Sequence, residues 1–482
     1  NDTATTEIYT TSQSSAASDV YKRQMWGGSY AGYDQWATAK EFPPHLATIV
    51  PAAAAFAGVD FPMWRNIAYP YEIQWQTLTS GVTANFNLFG ESDYWIQIFR
   101  TLYMDHRPFT DLPVLAGNLT TKFSEWAAHP YPDAYWDSMN PTDEEFARFE
   151  IPILTITGHY DGDQPGAMEY YRRHMRHGSQ EGKGLHYLII GPWDHAGTRT
   201  PRKEVGGLTF GDASMLDLND LHLQWYDWTM KDGEKPDFLE NRIAYFVAGA
   251  DAWKYAESLE SVATDRGKLY LSSVGGRAND AFHSGSMSPE APEADVPPDV
   301  YVYDPLDIRP AELETEGIPN SLTDQRLALN LFGNGLVYHS DVFSEDTEIS
   351  GYLKFEAWLA IDVPDTDFQV DVYEILLDGS SVRLAGDMMR ARYRESLREP
   401  KLVTPGEVNR YVFDGFYFFS RKIARGSRLR RVLNSPNSIG LQNNYNGGGV
   451  VAEESGADAR TAQVTLYHDA ERPSCLELPL VR

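Results

Sequence analysis

A single cysteine, Cys475, stands in this chain, so no intrachain disulfide can form and no cysteine cluster is on offer to a metal. Long apolar runs are missing too: none approaches the roughly 20 residues that a membrane-spanning helix requires. Basic residues are scarce, with 41 Lys and Arg against 69 Asp and Glu. The formal charge of -28 argues against nucleic acid as a partner, because phosphate binding relies on clustered cations. Internal repeats are absent. What is present is an ordinary globular composition, 42% hydrophobic over 482 residues, enough for sizeable cores in two or three domains. No cofactor or metal is implied, and assembly into homo-oligomers is left open.

Three stretches carry chemistry: Gly27-Gly28-Ser29-Tyr30-Ala31-Gly32, His159-Tyr160-Asp161-Gly162 and Gly191-Pro192-Trp193-Asp194-His195. In chain order they supply serine, acid and histidine, the order in which α/β-hydrolases deliver nucleophile, orienting carboxylate and general base. A serine hydroxyl is a weak nucleophile at neutral pH, so it needs an imidazole to accept its proton and a carboxylate to hold that imidazole in one tautomer. Around Ser29 the glycines suit a sharp strand-to-helix turn, although the usual second glycine position holds Ala31 and Gly32 follows. Residues 33–40 read as a helix stopped by Pro43-Pro44, and residues 46–50 as a buried parallel strand. The apolar run at 151–157 predicts a strand ending at Asp161. That at 184–190 predicts one stopping at Gly191-Pro192, with His195 in the loop beyond. Asp161 and His195 then sit at carboxyl ends of strands, where open α/β sheets present functional groups. The backbone N–H of Tyr30 is the natural oxyanion donor.

These residues resemble those of the cocaine esterase-like hydrolases, a family grouped with X-prolyl dipeptidyl-peptidases, glutaryl-cephalosporin acylases and α-amino-acid ester hydrolases. Gly-x-Ser-Tyr-x-Gly is that family's form of the turn and accounts for Gly32. The resemblance implies Ser29 as nucleophile, Asp161 as acid and His195 as base. It continues through His129-Pro130, Asp133, Tyr135 and Trp136, then Tyr303-Asp304-Pro305, Arg390-Ala-Arg-Tyr-Arg394 and Pro405-Gly406-Glu407. Trp136, inside a family-like segment, is the best candidate for a substrate-binding wall.

Residues 14–24 instead resemble a translated sequencing adapter, so residues 1–24 read as an adapter-like, non-native leader. An α/β-hydrolase normally builds several strands before the nucleophile, and in the resembling family a tyrosine hydroxyl from that region is the second oxyanion donor. On this reading the hydrolase is incomplete, lacking early strands, and the chain is expected to be weakly active or inactive. The expected organisation is an α/β-hydrolase core at 25–235, with a helical cap insertion at about 60–150, then a β-sandwich at 236–482. The family comparison implies a jelly roll for that sandwich. Aromatics crowd the cap (Trp64, Tyr69, Trp75, Phe86, Tyr94, Trp95, Tyr103, Phe123, Trp126, Tyr135 and Trp136), and about a quarter of them are expected to line a pocket. Residues 213–231 predict the last core helix, and the Pro/Ser/Gly-rich stretch 275–298 an exposed loop.

The function expected is hydrolysis of a small ester, amide or short peptide through an acyl-enzyme, as an acyl esterase or acylase. An X-prolyl dipeptidyl-peptidase or α-amino-acid ester hydrolase is the alternative. Asp163 bears on that choice. Cocaine esterase-like members carry an aromatic residue there, whereas a carboxylate is suited to pair with a substrate ammonium; a solvated loop aspartate is the plain alternative. A reading of another class makes the sandwich a carbohydrate-binding module on a non-catalytic scaffold.

Overall fold

The computed structural model describes residues 22–79, 88–119, 121–292, 294, 296–314, 322–326 and 328–482. Most of the adapter-like leader and the cap residue Phe86 lie outside the described residues. Arg23 and Gln24, the end of that leader, belong to the first strand.

The elements that build the site follow one another along the chain. Strand β1 (Arg23–Gly28) leads into helix α1 (Tyr30–Ala39) and strand β2 (Leu46–Ala52). Helices α2 (Tyr71–Thr79) and α3 (Ser92–Met104) belong to the cap. Next come β3 (Ile153–Tyr160), α4 (Gln164–His177), β4 (His186–Asp194), α5 (Leu218–Lys231), β5 (Ile243–Val247) and β6 (Ala252–Ala256). The six strands form one sheet in sequence order, with β1 to β5 parallel and β6 returning antiparallel to β5. Alternation along β2 and β3 divides the core between the two faces. Ile49 and Ile153 pack with Trp36 of α1 and Tyr170 of α4, while Val50 and Leu154 pack with Leu218, Leu221 and Trp225 of α5. Trp36 and Tyr170 stack with centroids 4.6 Å apart, tying α1 to α4.

Three sequence expectations shift. The unit boundary expected at 235/236 falls later, because β5 and β6 complete the hydrolase sheet. All of Ile243–Val247 is buried, and a short wholly apolar run looks alike in a parallel sheet and in a sandwich. Strand β4 does not stop at Gly191-Pro192 but runs to Asp194, so His195 follows it directly; a register shift between Gly158 and Tyr160 lets β3 keep pace. Within 275–298, Gly285–Ser288 forms a strand between Asp265–Ser272 and Gly335–Ser340, held by its buried Met287.

The cap is a set of mostly short helices whose core (Ile73, Trp95, Phe99, Phe109, Phe123) also takes in Ile439 and Ala452 from the C-terminal part. Among the described residues that part is a β-sandwich of 13 hydrogen-bonded strands, nearly all antiparallel, closed over a core that includes Phe355, Phe368, Leu433, Leu466 and Leu476. It docks on the hydrolase sheet where Ala248 N–H donates to Ser420 O (3.0 Å) and Lys422 N–H donates to Ala248 O (2.8 Å). Among the described residues no helix is long and apolar enough to cross a membrane.

Candidate active site

Ser29 occupies the turn between β1 and α1 with φ 61° and ψ -127°, a conformation costly for any residue but glycine. Two contacts hold it there. Its N–H donates to Ala52 O on β2 (3.0 Å), and its carbonyl accepts from Gly32 N (2.8 Å) and Tyr33 N (3.0 Å), starting the helix. The shifted glycine now has a steric cause. A Cβ at position 32 would lie 2.9 Å from both Ala52 O and Ala54 Cα, whereas the methyl of Ala31 fits because Gly27 has none; a Cβ on Gly27 would meet it at 2.7 Å. Tyr30 opens α1, so its N–H has no acceptor within the helix.

Asp161 lies immediately after β3 and is fully buried. Its carboxylate accepts from Thr157 Oγ1 at Oδ2 (2.9 Å) and from Asp163 N–H at Oδ1 (3.0 Å). His195, just beyond β4, places Nδ1 2.8 Å from Asp161 Oδ1, with 39% of its side chain exposed. Burial opposes charge on this imidazole. The hydrogen bond to Asp161 and the charges of Asp163 and Asp161 outweigh it, against a smaller opposing effect of Arg199, and the pKa rises to about 9. Asp163 Oδ2 is 3.8 Å from the same Nδ1. Burial, with the charge of Asp161 adding to it, pushes the Asp163 carboxyl up to about 6, despite His195, Arg199 and a hydrogen bond with Ser29.

Ser29, Tyr30, Asp163 and His195 open into one cavity of about 510 Å³. Of the cap aromatics noted in the sequence, Tyr69, Trp75, Trp126, Tyr135 and Trp136 line it, more than the quarter expected. Trp136 is anchored by its indole N–H donating to His129 O at 2.8 Å. The structure therefore brings all six candidate residues to one place: Ser29, Tyr30, Trp136, Asp163 and His195 line the cavity, and Asp161 stands behind His195.

Three residues escaped the sequence reading. Asp60 is buried beside Asp163 and accepts from Phe56 N–H (2.8 Å) and Gly166 N–H (2.6 Å), the latter in the first turn of α4. Burial and the neighbouring Asp163 charge raise its pKa well above the carboxylate range. Arg199 is a charge felt by both His195 and Asp163. Tyr417 reaches the cavity from the sandwich. No local pattern marks any of them, since each is brought in by tertiary packing.

Comparison with known families decides the kinship. Residues 24–197 match the model of the X-Pro dipeptidyl-peptidase (S15 family), and residues 225–477 match that of the X-Pro dipeptidyl-peptidase C-terminal non-catalytic domain. The chain belongs to the CocE/NonD, X-Pro dipeptidyl-peptidase-like family. Among relatives, the cocaine esterase of Rhodococcus sp. (strain MB1 Bresler) is 25% identical over 482 residues, spanning 95% of this chain and 80% of that protein. In structure the chain is similar to an aminopeptidase from a marine sediment Thaumarchaeota archaeon (TM-score 0.79, 21% identity, 96% of this chain and 76% of that one). An α-amino acid ester hydrolase compares equally (TM-score 0.79, 20% identity, 95% and 77%). A CocE/NonD family hydrolase from Staphylococcus aureus follows at TM-score 0.62 and 15% identity, over 95% and 71%. Membership makes the chain a serine hydrolase of the esterase or peptidase type, and the α/β-hydrolase core with its β-sandwich is the architecture of these relatives.

Proposed function

We propose that Ser29, His195 and Asp161 form the catalytic triad of this hydrolase and cleave an ester or amide through an acyl-enzyme. The observation that carries the reading is the 2.8 Å bond from a half-exposed His195 to a wholly buried Asp161, at the mouth of the cavity that also holds the strained Ser29. Ser29 Oγ attacks the acyl carbonyl while His195 Nε2 takes its proton; the proton then passes to the departing alkoxide or amine. Water repeats the sequence on the acyl-enzyme, returning the proton to Ser29. Asp161 holds Nδ1–H toward itself, leaving Nε2 free as base, and the Tyr30 N–H donates to the oxyanion.

The acyl group that suits the cavity carries an α-ammonium. Asp163 is a carboxylate 81% withdrawn from solvent at the nucleophile, and cavity-lining Tyr69 and Tyr71 lie close enough to feel its charge. A cation there gains from the carboxylate and from aromatic faces together. This favours α-amino-acyl esters and amino-terminal amides over plain acyl esters.

Fluorophosphonate labelling tests the triad: Ser29→Ala is expected to abolish it, and labelling that persists removes Ser29 from the mechanism. Paired p-nitrophenyl esters with and without an α-amino group test the pocket. Asp163→Asn is expected to erase a preference of about tenfold or more for the amino-acyl member; an unchanged ratio excludes Asp163 from recognition.

A further inference from the structure

The turn that carries Asp161, Gly162 and Asp163 is gripped from outside the hydrolase sheet. Gln164, at the start of α4 and 1% exposed, donates through Nε2 to Gly158 O (2.9 Å), spanning the turn, and to Phe418 O (2.9 Å). Its Oε1 accepts from Phe418 N–H (2.7 Å). The neighbouring Tyr417 hydroxyl donates to Gly162 O at 3.1 Å, between the two aspartates. Phe418 is itself immobilised. Its ring is fully buried, lies parallel to His159 (6.0 Å, 9°), and meets Tyr245 and Tyr352 edge-on at 6.2 and 5.6 Å. The strand that follows, Phe419–Ile423, is bridged to Ala248 at the end of β5.

An amide sealed among rings is costly unless every polar atom is satisfied, and here one bond braces the turn against Gly158 while the others hold it to one dipeptide of the sandwich. Simple domain adhesion asks only for apolar contact, which Phe418 already provides. We propose that Gln164 and Tyr417 are positioning residues, through which the β-sandwich fixes the turn that aims Asp161 at His195 and Asp163 into the cavity. The inference rests on the triad proposed above. It also gives the sandwich a part in catalysis without any group of it touching the reacting atoms.

Gln164→Met and Tyr417→Phe keep shape and remove only these hydrogen bonds. On the full chain, the rate of fluorophosphonate labelling is expected to fall about tenfold to a hundredfold in Gln164→Met, and less in Tyr417→Phe, the scale of a displacement of about 1 Å at the reacting groups. The charged groups facing His195 are Asp161, Asp163 and Arg199, and neither substitution alters them. A looser Asp161 bond is therefore read as a lower pH midpoint of labelling and an upfield move of the His195 Nδ1–H proton resonance. Rate, midpoint and resonance unchanged in Tyr417→Phe and in a folded Gln164→Met overturn the proposal. If Gln164→Met does not fold, Tyr417→Phe, which lacks one oxygen, decides alone. The resonance reports the clamp even if Ser29→Ala still labels, so failure of the triad and failure of the clamp give different results.

Discussion

In the triad proposed above, His195 is the residue whose charge governs the reaction. A base must be neutral to accept the Ser29 proton, and a pKa raised to about 9 keeps the free imidazole largely protonated at pH 7. Activity, read as kcat/KM, is therefore expected to climb with pH to a plateau above about 9. In Asp161→Asn the climb moves to lower pH, because the hydrogen bond and charge that raised the base are gone, while the plateau falls by on the order of 10⁴-fold. Asp163 makes a separate prediction about stability. Its folded pKa of about 6 exceeds the usual carboxylate value, so its contribution is intact in acid below the unfolded pKa and is lost as pH rises through 6. Asp163→Asn is accordingly expected to raise the melting temperature at pH 7, by on the order of 1–3 kcal/mol of stability, and to leave it unchanged near pH 3. A higher melting temperature for the parent at pH 7 would refute that sign.

The elbow at Ser29 is a packing problem between β1, α1 and β2, and a comparison of Gly32 there with Gly162 in the Asp161 turn separates steric need from simple flexibility. A Cβ at Gly32 would press on the Ala52 and Ala54 backbone, whereas one at Gly162 meets nothing within 4 Å. Gly32→Ala is expected to lower stability by about 1–3 kcal/mol, and Gly162→Ala to change it by less than about 0.5, in denaturant titrations. Several elements were legible beforehand because their signals are local: glycines with a serine at the turn, the β-branched run before Asp161, the helical spacing that became Leu218–Lys231. The misjudged boundaries have local causes too. Pro192 lacks a donor yet sits inside β4, and Ile243–Val247 has no alternation to say which sheet will take it.

At the scale of the whole molecule, three parts share one cavity. Strand ends supply Ser29, Asp163 and His195, the cap supplies the aromatic walls, and the sandwich supplies Tyr417. Phe418 is the plug between sandwich and core, so Phe418→Ala is expected to cost about 3–5 kcal/mol. It is also expected to split a single calorimetric transition into two, as units that lose their shared contact melt separately. A single transition at the parent temperature would show that the plug carries no coupling. Docking of this kind is invisible in sequence, since 254 positions separate Gln164 from Phe418.

By itself the sequence determined the chain order of Ser29, Asp161 and His195 and the strand-end placement of each, along with the division into an α/β core with a cap and a β-rich remainder. Those are consequences of short-range rules, namely which side chains suit a strand, a turn or a helix start. Only the tertiary structure decided that Asp60 caps α4 behind Asp163, that Arg199 adds its charge to the site, and that Tyr417 and Phe418 grip the acid turn. Each of these joins elements remote in the chain, and burial, hydrogen bonding and Coulomb interaction between remote groups have no value until the fold sets their distances.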